Sequence, residues 1–229
     1  MPSLVKELAQ LVRADVLSMQ GVTRFSPNRR FASLYSAGSP AESVYFLEFG
    51  LVKTYKRNAE SKEIILEIVL PGELFGLQAL RQKQLREGSA EILQEGIIHV
   101  IPRDVFLQYC GGRPHVWHLL AETLLETKRQ LEKKIELLCL EDVESRILYF
   151  VGQLAEAIGA GAGSDKSIPL SQGELACLVG ATRETTSTTL NGLARRGIVS
   201  LGRRQLTVPS LERLRATAAE RISRAATGL

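Results

Sequence analysis

A chain of 229 residues, 45% hydrophobic and 24% charged, has length for one large or two ordinary domains, and its composition excludes a disordered, collagen-like or membrane-embedded polypeptide. No apolar run reaches the ~18 residues of a spanning helix, and Lys6, Glu7 and Arg13 interrupt the N-terminus where a signal peptide would be apolar, so a cytoplasmic protein with no membrane partner is expected. The net charge of +4 is uneven: from Ile168 onward nine Arg and four Glu, with no Lys, give +5, against −1 over the first 167 residues, and a basic tail suits an acidic partner such as nucleic acid.

Between Pro2 and Met19 the apolar residues Leu4, Leu8, Leu11, Val12 and Val16 recur at steps of three or four, the pattern of a short amphipathic lead helix. From Thr23 to Arg103 the text changes to short Val/Ile/Tyr/Phe-rich segments, SVYFLEFG, LVKTYKRN, KEIILEIVL and GIIHVIP, separated by Gly38, Pro40, Gly50, Pro71-Gly72, Gly88 and Gly96. Turn-separated strands of this kind point to a β-sandwich or β-roll. His115 to Cys139 then lacks Gly and Pro, and Leu120, Leu124, Thr127, Leu131, Ile135 and Leu138 fall at steps of three or four. Such a helix, about 37 Å long at 1.5 Å per residue, exceeds what one small β-domain needs, so it is expected to pack against its twin across a two-fold axis, with those six residues at the interface. The expected organisation is a roll over 1–114, a dimerisation helix over 115–140 and a second domain over 141–229. Gly159 to Ser167, GAGAGSDKS, is expected to be an exposed loop.

The densest signal runs from Leu170 to Val208. Ser171 and Glu174 form a capping box that opens a helix whose Leu175, Leu178 and Val179 face inward. Gly180 lets the chain turn sharply, and a second helix from about Thr182 to Arg196 buries Leu190 and Leu193. IVSLGRRQLTV alternates around a Gly-Arg turn and reads as a two-stranded hairpin, which completes a winged helix-turn-helix. The first exposed turn of the second helix carries Arg183, Glu184, Ser187 and Thr188, whose side chains can bond base edges: an Arg forks onto guanine, and a Glu accepts from the cytosine amino group. Thr182, Thr185 and the helix amides suit phosphates, Ser171 joins them at the first helix, and Arg203 and Arg204 at the hairpin tip suit the backbone beside the site.

The order of lead helix, roll with PGELFG, long helix, DVESR and TRETTSTTL resembles the CRP/FNR family of bacterial transcription regulators, over nearly the whole chain. The resemblance implies an α+β fold: an N-terminal β-roll like a cyclic-nucleotide-binding jelly roll, a long dimerisation helix and a C-terminal winged helix-turn-helix. It also implies a homodimer on a two-fold symmetric double-stranded DNA operator, with Arg183 and Glu184 at base-contact positions and RNA polymerase as a further partner. Thr188 stands where the family typically has Arg, so one base pair of the half-site is expected to be read less strictly.

The effector is less legible. Family members that bind cyclic AMP are similar to FGELxL followed by Arg-Ser-Ala, whereas this chain has Leu77 in place of the ribose-binding Glu, Gly88 in place of the phosphate-binding Arg, and Leu131-Glu132 in place of the adenine-contacting Thr-Ser. Burying a cyclic phosphate needs a cation, so cyclic AMP is disfavoured. Residues 1–109 contain no cysteine, which excludes the family's iron–sulfur sensing. Cys110, Cys139 and Cys177, 29 and 38 residues apart, read as buried small apolar residues. His99, His115 and His118 read as surface or core histidines rather than haem ligands, Cys110, His115 and His118 have no standard metal spacing, and no cofactor or metal is expected. Arg86, with Lys83 near it, and Lys128 resemble the anion site of the cyanobacterial nitrogen-control regulator of the family. With Ser89 and the loop Gly76, Leu77 and Gln78 they form a candidate site for a small anionic metabolite such as 2-oxoglutarate. An effector-free, constitutive DNA binder remains the alternative. Catalysis is not expected, since the chain offers no Ser-His-Asp order, metal motif or P-loop.

Overall fold

The structure is a computed structural model that describes residues 7–8, 10–27, 30–159 and 166–227. The chain divides into two compact units, Met1–Leu131 and Glu132–Leu229.

The first unit is built on antiparallel strands. Among the described residues these are β1 (Thr23–Phe25), β2 (Ser33–Tyr35), β3 (Ser43–Arg57), β4 (Glu63–Val69), β5 (Leu74–Phe75) and β6 (Ser89–Pro102). The sheet runs β1-β6-β3-β4, with β2 also on β6 and β5 also on β3. The long β3 and β6 pair from Ser43↔Pro102 to Tyr55↔Ser89, and three register shifts between Leu47 and Val52 bend the pair into a roll. Val44, Tyr45, Phe46 and Leu47 are buried in succession rather than alternately, because β3 is covered on both faces. One core cluster joins Tyr45, Leu47, Val52, Phe75, Ile92 and Ile98 inside the roll. Another packs Leu8, Val12 and Val16 of the lead segment with Phe46, Ile101, Phe106, Leu119 and Leu120.

Helix α1 (Arg103–Cys110) follows β6, and α2 (Pro114–Leu140) is the expected long helix at 27 residues. Three expectations need correction or refinement here. The lead segment is helical as expected over its described residues, α-helical at 7–8 and 10–11, but Val12–Val16 winds as a π-helical turn, which keeps Val12 and Val16 inside the core; Leu4 lies outside the described residues. Leu120, expected at a dimer interface, is 2% exposed and belongs to the roll's own core, because the first turns of α2 lie against the β-unit. Cysteine burial holds only for Cys110; Cys177 is half-buried, and Cys139 is exposed near Leu140 at the end of α2.

The second unit contains α3 (Val143–Gly159), β7 (Lys166–Ile168), α4 (Gln172–Val179), α5 (Arg183–Arg195), β8 (Ser200–Gly202), β9 (Gln205–Val208) and α6 (Leu211–Thr227). The apolar face of α3, Ile147, Leu148, Val151 and Ala155, is buried, and α3 packs on α4, α5, α6 and β7. The expected hairpin is the β8–β9 pair, yet it has a third strand. Lys166–Ile168 pairs with Val208–Leu206, so the end of the segment expected as a loop is a strand, drawn in by Ile168 at 1% exposure. Residues 160–165 of that loop lie outside the described residues.

Candidate nucleic-acid interface

The helix-turn-helix is set by its caps. Ser171 accepts a hydrogen bond from the Glu174 amide (3.2 Å), and Glu174 accepts one from the Ser171 amide (2.7 Å), so the expected capping box opens α4. The helix ends at Gly180 in the left-handed conformation, φ 63°. Arg146 donates to the Val179 carbonyl (2.7 Å) and the Gly180 carbonyl (3.3 Å), satisfying carbonyls that the helix end leaves open. Thr182 then caps α5, accepting from the Thr185 amide at 3.1 Å.

These caps sort the candidate residues. Thr182 and Thr185 are engaged with each other, their hydroxyls 3.0 Å apart, so they position the helix first. Arg183, Glu184 and Thr188 are exposed, and Ser187 is half-buried. Glu184 is held below the usual carboxylate range by its own backbone amide and then by the Thr182 hydroxyl, so it stands at the helix start as an acceptor. Thr186, between them, is fully buried with its hydroxyl unpartnered among the described residues.

Three separate segments meet at a concavity of about 520 Å³: Ser171 from the start of α4, Arg183 from the start of α5, and Arg204 with Gln205 from the wing, over a floor that includes Leu170 and Leu190. Arg203 and Arg204 are exposed in the turn between β8 and β9, where Arg204 has φ 57°. The surface therefore presents guanidinium groups, a carboxylate and hydroxyls side by side, the mixture that base edges and phosphates require. Gln205 was missed in the sequence because nothing in an alternating strand marks which residue follows the tip. The ion pairs behind the surface were missed as well: Glu144 on α3 holds Arg196 at the end of α5 (2.7 Å) and Arg221 of α6 (3.0 Å), partners distant in sequence.

On α2, Trp117, Leu124, Leu131 and Ile135 are 44%, 47%, 42% and 60% exposed. Trp117, Leu124 and Leu131 are seven residues apart, a coiled-coil spacing. Thr127 instead donates to the Thr123 carbonyl (3.0 Å), and Leu138 is half-buried against Gly180.

In the roll, the candidate effector residues divide. Arg86 reaches the loop and donates to the Gly76 carbonyl (2.7 Å), with Gln78 Oε1 at 3.4 Å and the Ser43 carbonyl at 2.5 Å. Leu77 opens the 3₁₀ turn Leu77–Leu80 that follows Gly76. Ser89 accepts from the Ala37 amide (3.0 Å), while Lys128 is exposed on α2 and is not among the contacts of Arg86. Among the described residues no cluster of three or more His, Cys, Asp or Glu side chains is placed to hold a metal ion, and no helix is long and apolar enough to cross a membrane.

Comparison with known proteins agrees with this geometry. Residues 29–112 match the cyclic nucleotide-binding domain, and residues 145–217 match the Crp-like helix-turn-helix domain. The chain is 30% identical over 169 residues, 74% of its length and 76% of the relative's, to the cyclic AMP receptor protein of Thermus thermophilus. It is 28% identical over 184 residues, 80% of this chain and 82% of the relative, to the CRP-like cAMP-activated global transcriptional regulator of Mycobacterium tuberculosis. The structure of FixK2 from Bradyrhizobium japonicum is similar with a TM-score of 0.75 at 25% identity, over 85% of this chain and 96% of that one. The c-di-GMP responsive global regulator CLP of Xanthomonas campestris, at 19% identity and a TM-score of 0.72 over 87% of this chain and 98% of that one, shares the fold.

Proposed function

Because the chain belongs to the CRP/FNR family of DNA-binding transcription regulators, we propose that it acts as a cytoplasmic homodimer whose two α5 helices enter successive major grooves of a two-fold symmetric operator. The observation that carries this reading is the exposed row Arg183, Glu184 and Thr188 at the capped start of α5, with Arg203 and Arg204 on the adjoining wing. In this arrangement Arg183 and Glu184 read bases, the α5 amides and wing arginines hold phosphates, and Ser171 and Thr182 act through their caps. Thr188 is too short to replace an Arg fork, so one base pair of the half-site is read loosely. The exposed α2 face of Trp117, Leu124, Leu131 and Ile135 supports dimerisation, since four large apolar side chains along one helix are costly to leave in water. RNA polymerase enters as a partner through the family alone.

For the roll, an effector other than cyclic AMP follows from Leu77 and Gly88, which supply neither a ribose acceptor nor a phosphate cation. A dicarboxylate such as 2-oxoglutarate would have to draw Arg86 away from the Gly76 and Ser43 carbonyls. That engagement favours a second reading, operator binding with no added effector.

The test is fluorescence anisotropy with a duplex selected from a random library by the wild-type chain. Arg183→Ala is expected to lose about 1–3 kcal/mol of binding and to relax one base position, whereas Arg203→Ala weakens all sequences alike and reduces the salt slope by about one. If Arg183→Ala combined with Glu184→Ala leaves binding to every duplex unchanged, the reading fails.

A further inference from the structure

Arg86 is the most unusual charged group in the roll. It is 3% exposed, and its guanidinium is hydrogen-bonded to two backbone carbonyls and the Gln78 side-chain oxygen, none of them a carboxylate. An ionised group taken out of water without a counter-charge is costly, and a guanidinium cannot escape by losing its proton. The roll compensates the two terminal nitrogens with dipoles and ring faces, while the buried Nε of Arg86 has no hydrogen-bond partner among the described residues. Its Nη1 donates to the Gly76 carbonyl and its Nη2 to the Ser43 carbonyl, while the guanidinium carbon lies 4.3 Å from the Tyr35 ring centre and 5.5 Å from that of Tyr45. Its backbone is tied too: the Arg86 amide donates to the Ser39 carbonyl and its carbonyl accepts from the Gly38 amide, both at 2.8 Å. Burial raises the Tyr35 hydroxyl to about 12 although Arg86 pulls it down, so both rings stay neutral around the cation.

The cage ties together parts that are distant in sequence. Gly76 opens the 3₁₀ turn Leu77–Leu80, with φ 73°, and a Cβ placed there would come within 2.9 Å of Nη1. Ser43 begins β3, and Tyr45 on the same strand pairs with Phe75. One guanidinium thus bridges the turn to the central strand.

We propose that Arg86 is a built-in ligand, a positioning residue whose guanidinium occupies a Tyr35–Tyr45–Gly76–Ser43 cage and locks the Gly76–Leu80 turn onto β3, so that the roll holds its DNA-competent form without an external effector. The proposal deepens the second reading above and rests on it. The cage is a guanidinium site, and it accepts a free guanidinium when its own is removed.

The experiment uses the full chain as wild type and as two variants: Arg86→Met, which keeps the apolar stem, and Arg86→Lys, which keeps charge but not the fork. Each charge-assisted hydrogen bond contributes about 1.5–3 kcal/mol, so amide exchange in Gly76–Leu80 is expected to accelerate at least about tenfold in Arg86→Met. Methylguanidinium should restore protection in Arg86→Met, methylammonium should not, and Arg86→Lys should remain intermediate. Wild type freed of small molecules by unfolding and refolding should bind its selected duplex unaided, and Arg86→Met should lose at least about tenfold in affinity with partial rescue by methylguanidinium. The proposal is overturned if exchange in the turn is unchanged by Arg86→Met, if methylguanidinium and methylammonium act alike, or if refolded wild type needs an added metabolite to bind DNA. Rescue of the turn in a protein that binds no duplex, wild type included, strikes the DNA-binding reading and the effector-free clause while leaving the guanidinium cage supported.

Discussion

Replacing Gly180 by alanine tests how the helix-turn-helix is built. Gly180 has φ 63°, and a Cβ there would lie 2.6 Å from Leu138 Cδ2 and 3.7 Å from Arg146 Nη1. The left-handed conformation costs an alanine about 1–2 kcal/mol. Stiffening of the unfolded chain by alanine returns about 0.4–1 kcal/mol. The Leu138 contact is well inside van der Waals distance, and turning that side chain off its rotamer adds about 0.5–1.5 kcal/mol. The sum is a loss of about 1–2 kcal/mol, which for a chain of this size lowers the melting temperature by about 2–8 °C. Scanning calorimetry on Gly180→Ala measures it, and repeating the substitution in a Leu138→Ala background should remove the contact share, a coupling of about 1 kcal/mol. An alanine variant as stable as wild type refutes the backbone argument, and a cost that persists undiminished without Leu138 refutes the steric one.

Three further expectations follow from single side chains. Thr186→Val removes a hydroxyl that is buried without a partner among the described residues and keeps the shape, so the melting temperature should rise or hold while affinity for the selected duplex is unchanged; a loss of 1 kcal/mol or more (~1 kcal/mol being the scale of a made hydrogen bond) would mean that the hydroxyl is bonded after all. Burial and then the neighbouring Glu67 push the Glu73 carboxyl up to about 8, against the Leu70 amide that donates to it. Its folded-state value is therefore raised, so the native state holds a proton that the unfolded chain has lost, and the contribution present at acid pH is lost as pH rises through about 8. Glu73→Gln should flatten that fall when thermal unfolding is followed from pH 5 to pH 9 (roughly the window in which a raised carboxyl titrates). Leu120→Ala should cost about 2–5 kcal/mol of stability with dimerisation intact once folded, whereas Ile135→Glu should leave unfolding nearly unchanged and convert dimer to monomer by analytical ultracentrifugation; the opposite pattern would place Leu120 on the seam and Ile135 in the core.

Local signals carried far in this chain. Turn-punctuated strands, an uninterrupted apolar period from His115 to Cys139, and the Ser171–Glu174 box before a glycine each depend on neighbours within a few residues, and the roll, the long helix and the helix-turn-helix stand where those signals lie. The exposed Arg183 and Glu184 were legible for the same reason, since the first two residues after a cap have little choice of direction. Other features were invisible because they depend on partners far away in the chain. Leu120 and Leu124 look alike in a helical repeat, and which of them is covered depends on whether the roll lies beneath, 2% against 47% exposed. Ser167 reads as loop until Thr207, 40 residues on, supplies a strand to pair with. In the sequence Arg86 reads as a candidate ligand for an anion, and its burial exists only because Tyr35, Ser43, Tyr45 and Gly76 close around it. Secondary structure follows from short-range sterics and capping, which a linear text records, whereas solvent exclusion is a property of surfaces brought together from remote segments and so arises with the folded shape.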